Sequence, residues 1–132
     1  MAITSLVRQS ARALLSGTLL LVFVQIAQAE QWRKLPYKLG GDLDFCLDLD
    51  SIRPGPENYT QFRSKVCDID NVQTEAIDCR VVDAVVRAGR AGFIPHMKYD
   101  PDSRQWYKIA PIPADSFGGY IAEEVCDART RR

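Results

Sequence analysis

From Gly41 to Asp50 apolar and polar residues alternate without a fault. Leu43, Phe45, Leu47 and Leu49 fall on one face; Asp42, Asp44, Cys46, Asp48 and Asp50 fall on the other, the period-two signature of a half-buried strand. The cluster Pro54-Gly55-Pro56-Glu57-Asn58 then predicts a turn, and Tyr59 to Cys67 a second strand with Arg63, Lys65 and Cys67 on one face. Trp32 to Leu39 reads as an earlier strand interrupted at Pro36. After a turn at Asp68-Ile69-Asp70-Asn71, the pattern predicts a third strand from about Val72 to Val86, with a bulge or break near Asp83 where the alternation falters. Phe93 to Tyr99 reads as extended, with Pro95 making it an edge or bent strand. Asp100-Pro101-Asp102-Ser103 is a turn, and Gln105 to Ile109 a last strand.

From Asp115 the period changes. Asp115 or Ser116 can cap a helix, and Phe117, Ile121 and Val125 lie at four-residue spacing on one stripe. Gly118 and Gly119 weaken that helix, so packing must hold it. Arg129-Thr130-Arg131-Arg132 reads as a frayed tail. The expected fold is α+β: an antiparallel β-sheet meander of about five or six strands, with a C-terminal helix packed on it.

The first 29 residues look like a cleavable signal. Arg8 and Arg12 precede an apolar run from Leu14 to Val24, and Ala27-Gln28-Ala29 is a small-x-small cleavage pattern. That run is about half the length of a membrane span. The expected organisation is therefore a signal peptide over 1–29 and one domain over 30–132, with no membrane span once the signal is removed and a periplasmic or secreted destination. Removing residues 1–29 takes away two of the 17 basic residues and none of the 17 acidic ones, leaving a net charge of −2. This balance argues against nucleic acid as a partner.

In an exported chain the four cysteines, Cys46, Cys67, Cys79 and Cys126, predict two disulfides. The hairpin chooses between pairings. If Cys46 opposes Cys67, the turn centre falls between Pro56 and Glu57, inside the turn cluster. The same register sets Asp48 against Lys65, Asp50 against Arg63 and Leu47 against Val66. Cys46–Cys67 is favoured on these grounds, and Cys79–Cys126 follows by elimination. On the chain-entropy account each bridge contributes roughly 3 to 4 kcal/mol.

Candidate chemistry changes this picture little. The aspartates of the Gly41–Asp50 segment are spread along a strand rather than folded around an ion, so they read as a solvated, charge-paired face rather than a calcium site. With neither a CxxC motif nor a Cys/His cluster in the sequence, no metal or cofactor is expected. His96, the single histidine, lacks a Gly-x-Ser-x-Gly partner motif and reads as a partly exposed strand or loop residue, so no catalytic residue is assigned and no enzyme is expected. Trp32, Trp106 and Tyr107 read as core side chains at strand spacing. The loop carrying Arg87, Arg90 and Phe93 places two guanidinium groups and an aromatic beside glycines, a composition of interface hot spots, and is the candidate partner-binding site.

Several short motifs together resemble a known family. They are an opening Trp32, Asp50-Ser51-Ile52 near the end of an early strand, Ile77-Asp78-Cys79 in mid-chain, Trp106, Pro113 to Ser116, Gly119, and the terminal Val125-Cys126. The chain is similar in these to the surface-adhesin protein E-like family of bacterial exported proteins, and departs from it in carrying the second pair Cys46 and Cys67. The resemblance implies an antiparallel sheet with a C-terminal helix linked to it by Cys79–Cys126. It also implies an adhesive, protein-binding role, with host matrix proteins as partners and homodimers among its members. The alternative function is inhibition of a secreted or periplasmic hydrolase, in the manner of a lysozyme inhibitor, with the Arg87–Phe93 loop entering the enzyme's cleft.

Overall fold

The computed structural model describes residues 30–39 and 42–131; the proposed signal, Gly40, Gly41 and Arg132 lie outside the described residues. Six strands follow one another in a single antiparallel sheet whose spatial order is the chain order: β1 (Trp32–Leu39), β2 (Leu43–Pro54), β3 (Thr60–Val66), β4 (Gln73–Ile77), β5 (Phe93–Asp100) and β6 (Gln105–Pro113). Helix α1 (Cys79–Arg87) interrupts the meander between β4 and β5, and α2 (Phe117–Thr130) closes it. Both helices lie on one face of the sheet. Leu35, Leu47, Phe62, Ile77 and Ile94 from the strands meet Val82 of α1 and Ile121, Ala122 and Val125 of α2 in one buried cluster. Among the described residues no helix lies on the other face.

The expected third strand stops at Ile77, and residues beyond it are helical. Asp78 caps the helix, its Oδ1 accepting from the Arg80 amide at 3.0 Å. The paired valines that suggested a bulge are the buried stripe of a helix: Val82 is fully buried, while Val85 and Val86 pack at the edge of the core. A Schellman motif ends α1: the amide of Gly89 donates to the Val86 carbonyl and that of Arg90 to Val85. Gly89 takes φ +73°, the left-handed geometry this motif requires.

Both disulfides join the expected partners, Cys46 to Cys67 and Cys79 to Cys126. Because Cys79 opens α1, the second bridge ties helix to helix rather than strand to helix. The hairpin register differs from the expected one by two residues. Cys46 opposes Lys65, Leu47 opposes Ser64, and Asp48 opposes Arg63. A bulge explains the slip: between the Asp48–Arg63 and Arg53–Gln61 pairs, four residues of β2 stand against one of β3, so counting back from the turn fails. Ser51 repairs the ladder there. Its hydroxyl donates to the Asp48 carbonyl at 2.6 Å and accepts from the Arg63 amide at 2.7 Å. A slip of two preserves the side-chain faces, and so the cysteine pairing survives it.

The two prolines behave differently. Pro36 lies in the irregular stretch of edge strand β1 between Lys34 and Lys38. Pro95 lies in an interior strand, where the register shift between Ile94 and His96 accommodates it, so β5 is bent rather than at the edge. Of the expected tail, Arg129 and Thr130 are helical and Arg131 is the helix cap. Gly119 is needed by a close approach: a Cβ there would sit 2.2 Å from the Ala114 carbonyl oxygen, so glycine alone lets α2 begin against the end of β6. Among the described residues no helix is long and apolar enough to cross a membrane.

Candidate functional site

Each face of the sheet carries a cleft. On the helix-free face lies the larger, about 730 Å³. Glu30, Asp48, Asp50, Ser51, Arg53, Gln61, Arg63 and Thr74 line it, with Tyr99 and Trp106 closing one side. Arg63 organises it, bonding Asp48 Oδ2 at 2.6 Å and Glu30 Oε1 at 2.8 Å. The Asp48 side chain is only 2% exposed. Its other oxygen accepts from the amides of Gln31 and Asp50. Burial works against the charge of Asp48, but the Arg63 hydrogen bond and the Gln31 amide outweigh it and hold the carboxyl below its ordinary value. Glu30 is lowered too, chiefly by the bond from the Trp32 indole N–H and then by Arg63. Lys65 Nζ lies 4.6 Å from the Trp32 ring centroid, a cation–π contact.

The aspartates therefore do not form a uniformly solvated strand face. Asp48 is a buried, paired charge, because Gln31, just before β1, and the bulge of β2 supply amides that replace its water. Trp32 and Trp106 are half-buried on the helix-free face and Tyr107 is exposed, so none of the three is core. Tyr99 and Trp106 stand opposite one another across β5 and β6, their ring centroids 5.3 Å apart and their planes tilted by 54°.

The second cleft, about 470 Å³, opens on the helix side where the start of α2 leaves the sheet uncovered. Phe45, Phe62, Val66, Ile112, Phe117 and Ile121 form its apolar walls. The Phe45 and Phe117 rings meet edge to face at 5.9 Å. One polar chain lines it: His96 Nε2 bonds Glu75 Oε1 at 2.9 Å, and the Ser64 hydroxyl donates to Glu75 Oε2 at 3.3 Å. Of the two expected settings for His96 the strand holds: it sits in β5, partly buried and bound to a carboxylate. The order is serine–glutamate–histidine. With the carboxylate in the middle, no imidazole reaches the hydroxyl, and the geometry of a nucleophilic triad is not formed. Three apolar residues outside this lining but close to it in sequence are exposed: Leu43 (47%) two residues before Phe45, Ile69 (49%) in the turn after Val66, and Val72 (40%) between Asn71 and Gln73.

The loop singled out from sequence is divided. Arg90 folds inward, where it bonds Glu123 and the Ala114 carbonyl and covers the Tyr120 ring at 3.9 Å. Arg87 donates to the Asp83 carbonyl in the last turn of α1. Phe93, 63% exposed, projects at the start of β5. Tertiary packing brings the three together only as a braced turn with one protruding ring. Neither cleft was legible as a site: their residues come from four or more strands, and only the Phe45/Leu47 alternation and the Arg63 face hinted at them.

Among the described residues no group of three or more histidine, cysteine, aspartate or glutamate side chains is placed to hold a metal ion. No family model, curated protein or solved structure matches the chain.

Proposed function

We propose that this chain is an exported, non-catalytic protein-binding module of adhesin type, acting outside the cytoplasm after loss of residues 1–29. The observation that carries the reading is the helix-side groove, walled by Phe45, Phe62 and Phe117. Leu43, Ile69 and Val72, close in sequence to its lining residues, keep apolar surface in water. Apolar surface exposed around a concave, aromatic-walled site is the composition of a contact core for another protein's apolar anchor. Two disulfides support a chain built for an oxidising compartment. The non-catalytic reading is supported by the bonding of Ser64 and His96 to the same carboxylate.

The test is capture from host matrix and envelope extracts with the wild-type chain and with Leu43→Glu and Val72→Glu, both exposed positions. A partner held by the wild type should lose at least about tenfold in affinity with either variant, the effect of a central apolar contact. Failure to recover any partner, or partners indifferent to both variants, overturns the reading.

The hydrolase-inhibitor reading rests on a different observation, the loop in which Arg90 is braced from three sides and Phe93 projects. A preorganised loop with an exposed aromatic suits insertion into a cleft. Unchanged rates across a panel of secreted hydrolases, with the protein in excess, would end it.

A further inference from the structure

We propose that the cleft on the helix-free face is a binding site for an uncharged saccharide. Its volume, about 730 Å³, falls within the range of roughly 300–1,000 Å³ typical of small-ligand sites, but its lining is mostly polar rather than apolar. A drug-like apolar ligand would strand those groups without partners. Its charges nearly balance, Arg53 and Arg63 standing against Glu30, Asp48 and Asp50. Arg63 is held between Glu30 and Asp48, and Arg53 Nε and Nη2 meet the Gln61 amide oxygen at 2.8 and 3.2 Å when that amide is oriented toward the guanidinium. An anion finds Arg63 already bridging two carboxylates, and a cation must displace it from the buried Asp48. The complementary ligand is therefore neutral, and must bring both donors and acceptors.

One wall adds a second requirement. Tyr99 and Trp106 present half-buried rings at a fixed tilt beside Thr74 and Gln61. Aromatic rings prefer a flat apolar surface against them. A sugar ring has such a C–H face, together with a rim of hydroxyls that donate and accept. The lining is also preorganised: the Arg63 bridge and the Ser51-clamped bulge fix the polar atoms before any ligand arrives, which lowers the entropy lost on binding. This site lies on the opposite side of the sheet from the groove assigned to a protein partner, so the two readings stand or fall separately.

The full chain, as exported and with both disulfides verified, is titrated with maltotriose, cellotriose and chitotriose while tryptophan fluorescence and amide and indole NMR signals are followed. At least one trisaccharide should bind with a Kd below about 1 mM. It should shift the Trp106 indole and the Gln61 side-chain amide and leave Leu43 still. Trp106→Ala should weaken that binding at least about tenfold, the scale of a lost aromatic contact plus its buried area. The NMR map on the unaltered chain keeps the test decisive if the variant misfolds. Three results overturn the proposal: none of the sugars binding within that limit, sugar shifts confined to the Leu43 side, or inorganic phosphate or trilysine occupying the cleft in their place.

Discussion

The two faces of the sheet are made by alternate residues of the same strands, yet they are held by different forces. On the helix side Leu47, Phe62, Ile77 and Ile94 interdigitate with two helices that Cys79–Cys126 bolts together. On the other side no helix of the described residues covers the strands, and cohesion comes from Arg63 bridging Asp48 and Glu30, a lysine over Trp32, and the Cys46–Cys67 bridge. Apolar packing is non-directional and tolerates a groove where α2 begins. The charged network is directional, and it fixes polar atoms where a ligand could read them. One face is therefore suited to shape-driven contact and the other to hydrogen-bonded recognition.

This contrast breaks most visibly at the covalent clamp. Replacing Cys79 and Cys126 by alanine should destabilise the chain by about 4 kcal/mol on the chain-entropy account, against about 3 for Cys46 and Cys67, whose loop is shorter. Urea unfolding of the two double variants checks the order. If the Cys46–Cys67 variant suffers more, the helix-free face contributes more than its open architecture suggests.

Next in size is Arg63→Ala, which leaves Asp48 buried and with backbone amides as its main partners. A loss of about 3 kcal/mol is expected, the scale for an orphaned buried charge. A loss under about 1 kcal/mol would mean that the amides of Gln31 and Asp50 suffice to hold the carboxylate.

Acid should separate the faces as well. Asp48, Glu30 and Asp78 all have folded values depressed below the ordinary carboxylate range: burial opposes the shift at Asp48, where Arg63 prevails, while bonds from Trp32 and Arg80 lead for the other two. A depressed folded value means stability that is complete above the unfolded value near 4 and lost as pH falls through the folded one. Unfolding free energy should stay flat from about pH 7 to 5 and fall below about 4, and Asp48→Asn should flatten that fall. A variant as acid-sensitive as the wild type would remove Asp48 from the account.

The smallest effect on the fold is expected at the exposed apolar residues. Leu43→Glu should change stability by no more than about 0.5 kcal/mol, because the side chain is already half in water, while weakening partner capture at least about tenfold. A large destabilisation would show instead that Leu43 belongs to the core.

Most of the motifs that carried the family resemblance are structural in this chain, while Asp50, Ser51 and Trp106 also line the helix-free cleft. Ser51 clamps the β2 bulge, Ile52 and Ile77 are core, Asp78 and Ser116 cap helices, Gly119 permits the close approach of α2, and Cys126 is bridged. Such residues report how the backbone is held, not what it binds. That is why the fold was far more legible in the sequence than either cleft. The valine-rich stretch after Cys79 reads as a strand because β-branched residues favour strands, while the Asp78 cap and the core contact of Val82 decide for a helix.

The sequence alone determined what depends on neighbours along the chain: strand alternation in β2, the turn at 54–58, the capped closing helix, and a Cys46–Cys67 pairing that more than one register of the hairpin allows. Tertiary structure decided what depends on distant residues meeting. It set the bulge that moved Arg63 opposite Asp48, buried that carboxylate, turned Arg90 inward, and left one groove on each side of the sheet. The reason is physical: local periodicity records which face a residue takes, but burial and charge pairing are settled only when separate strands and helices compete for the same space.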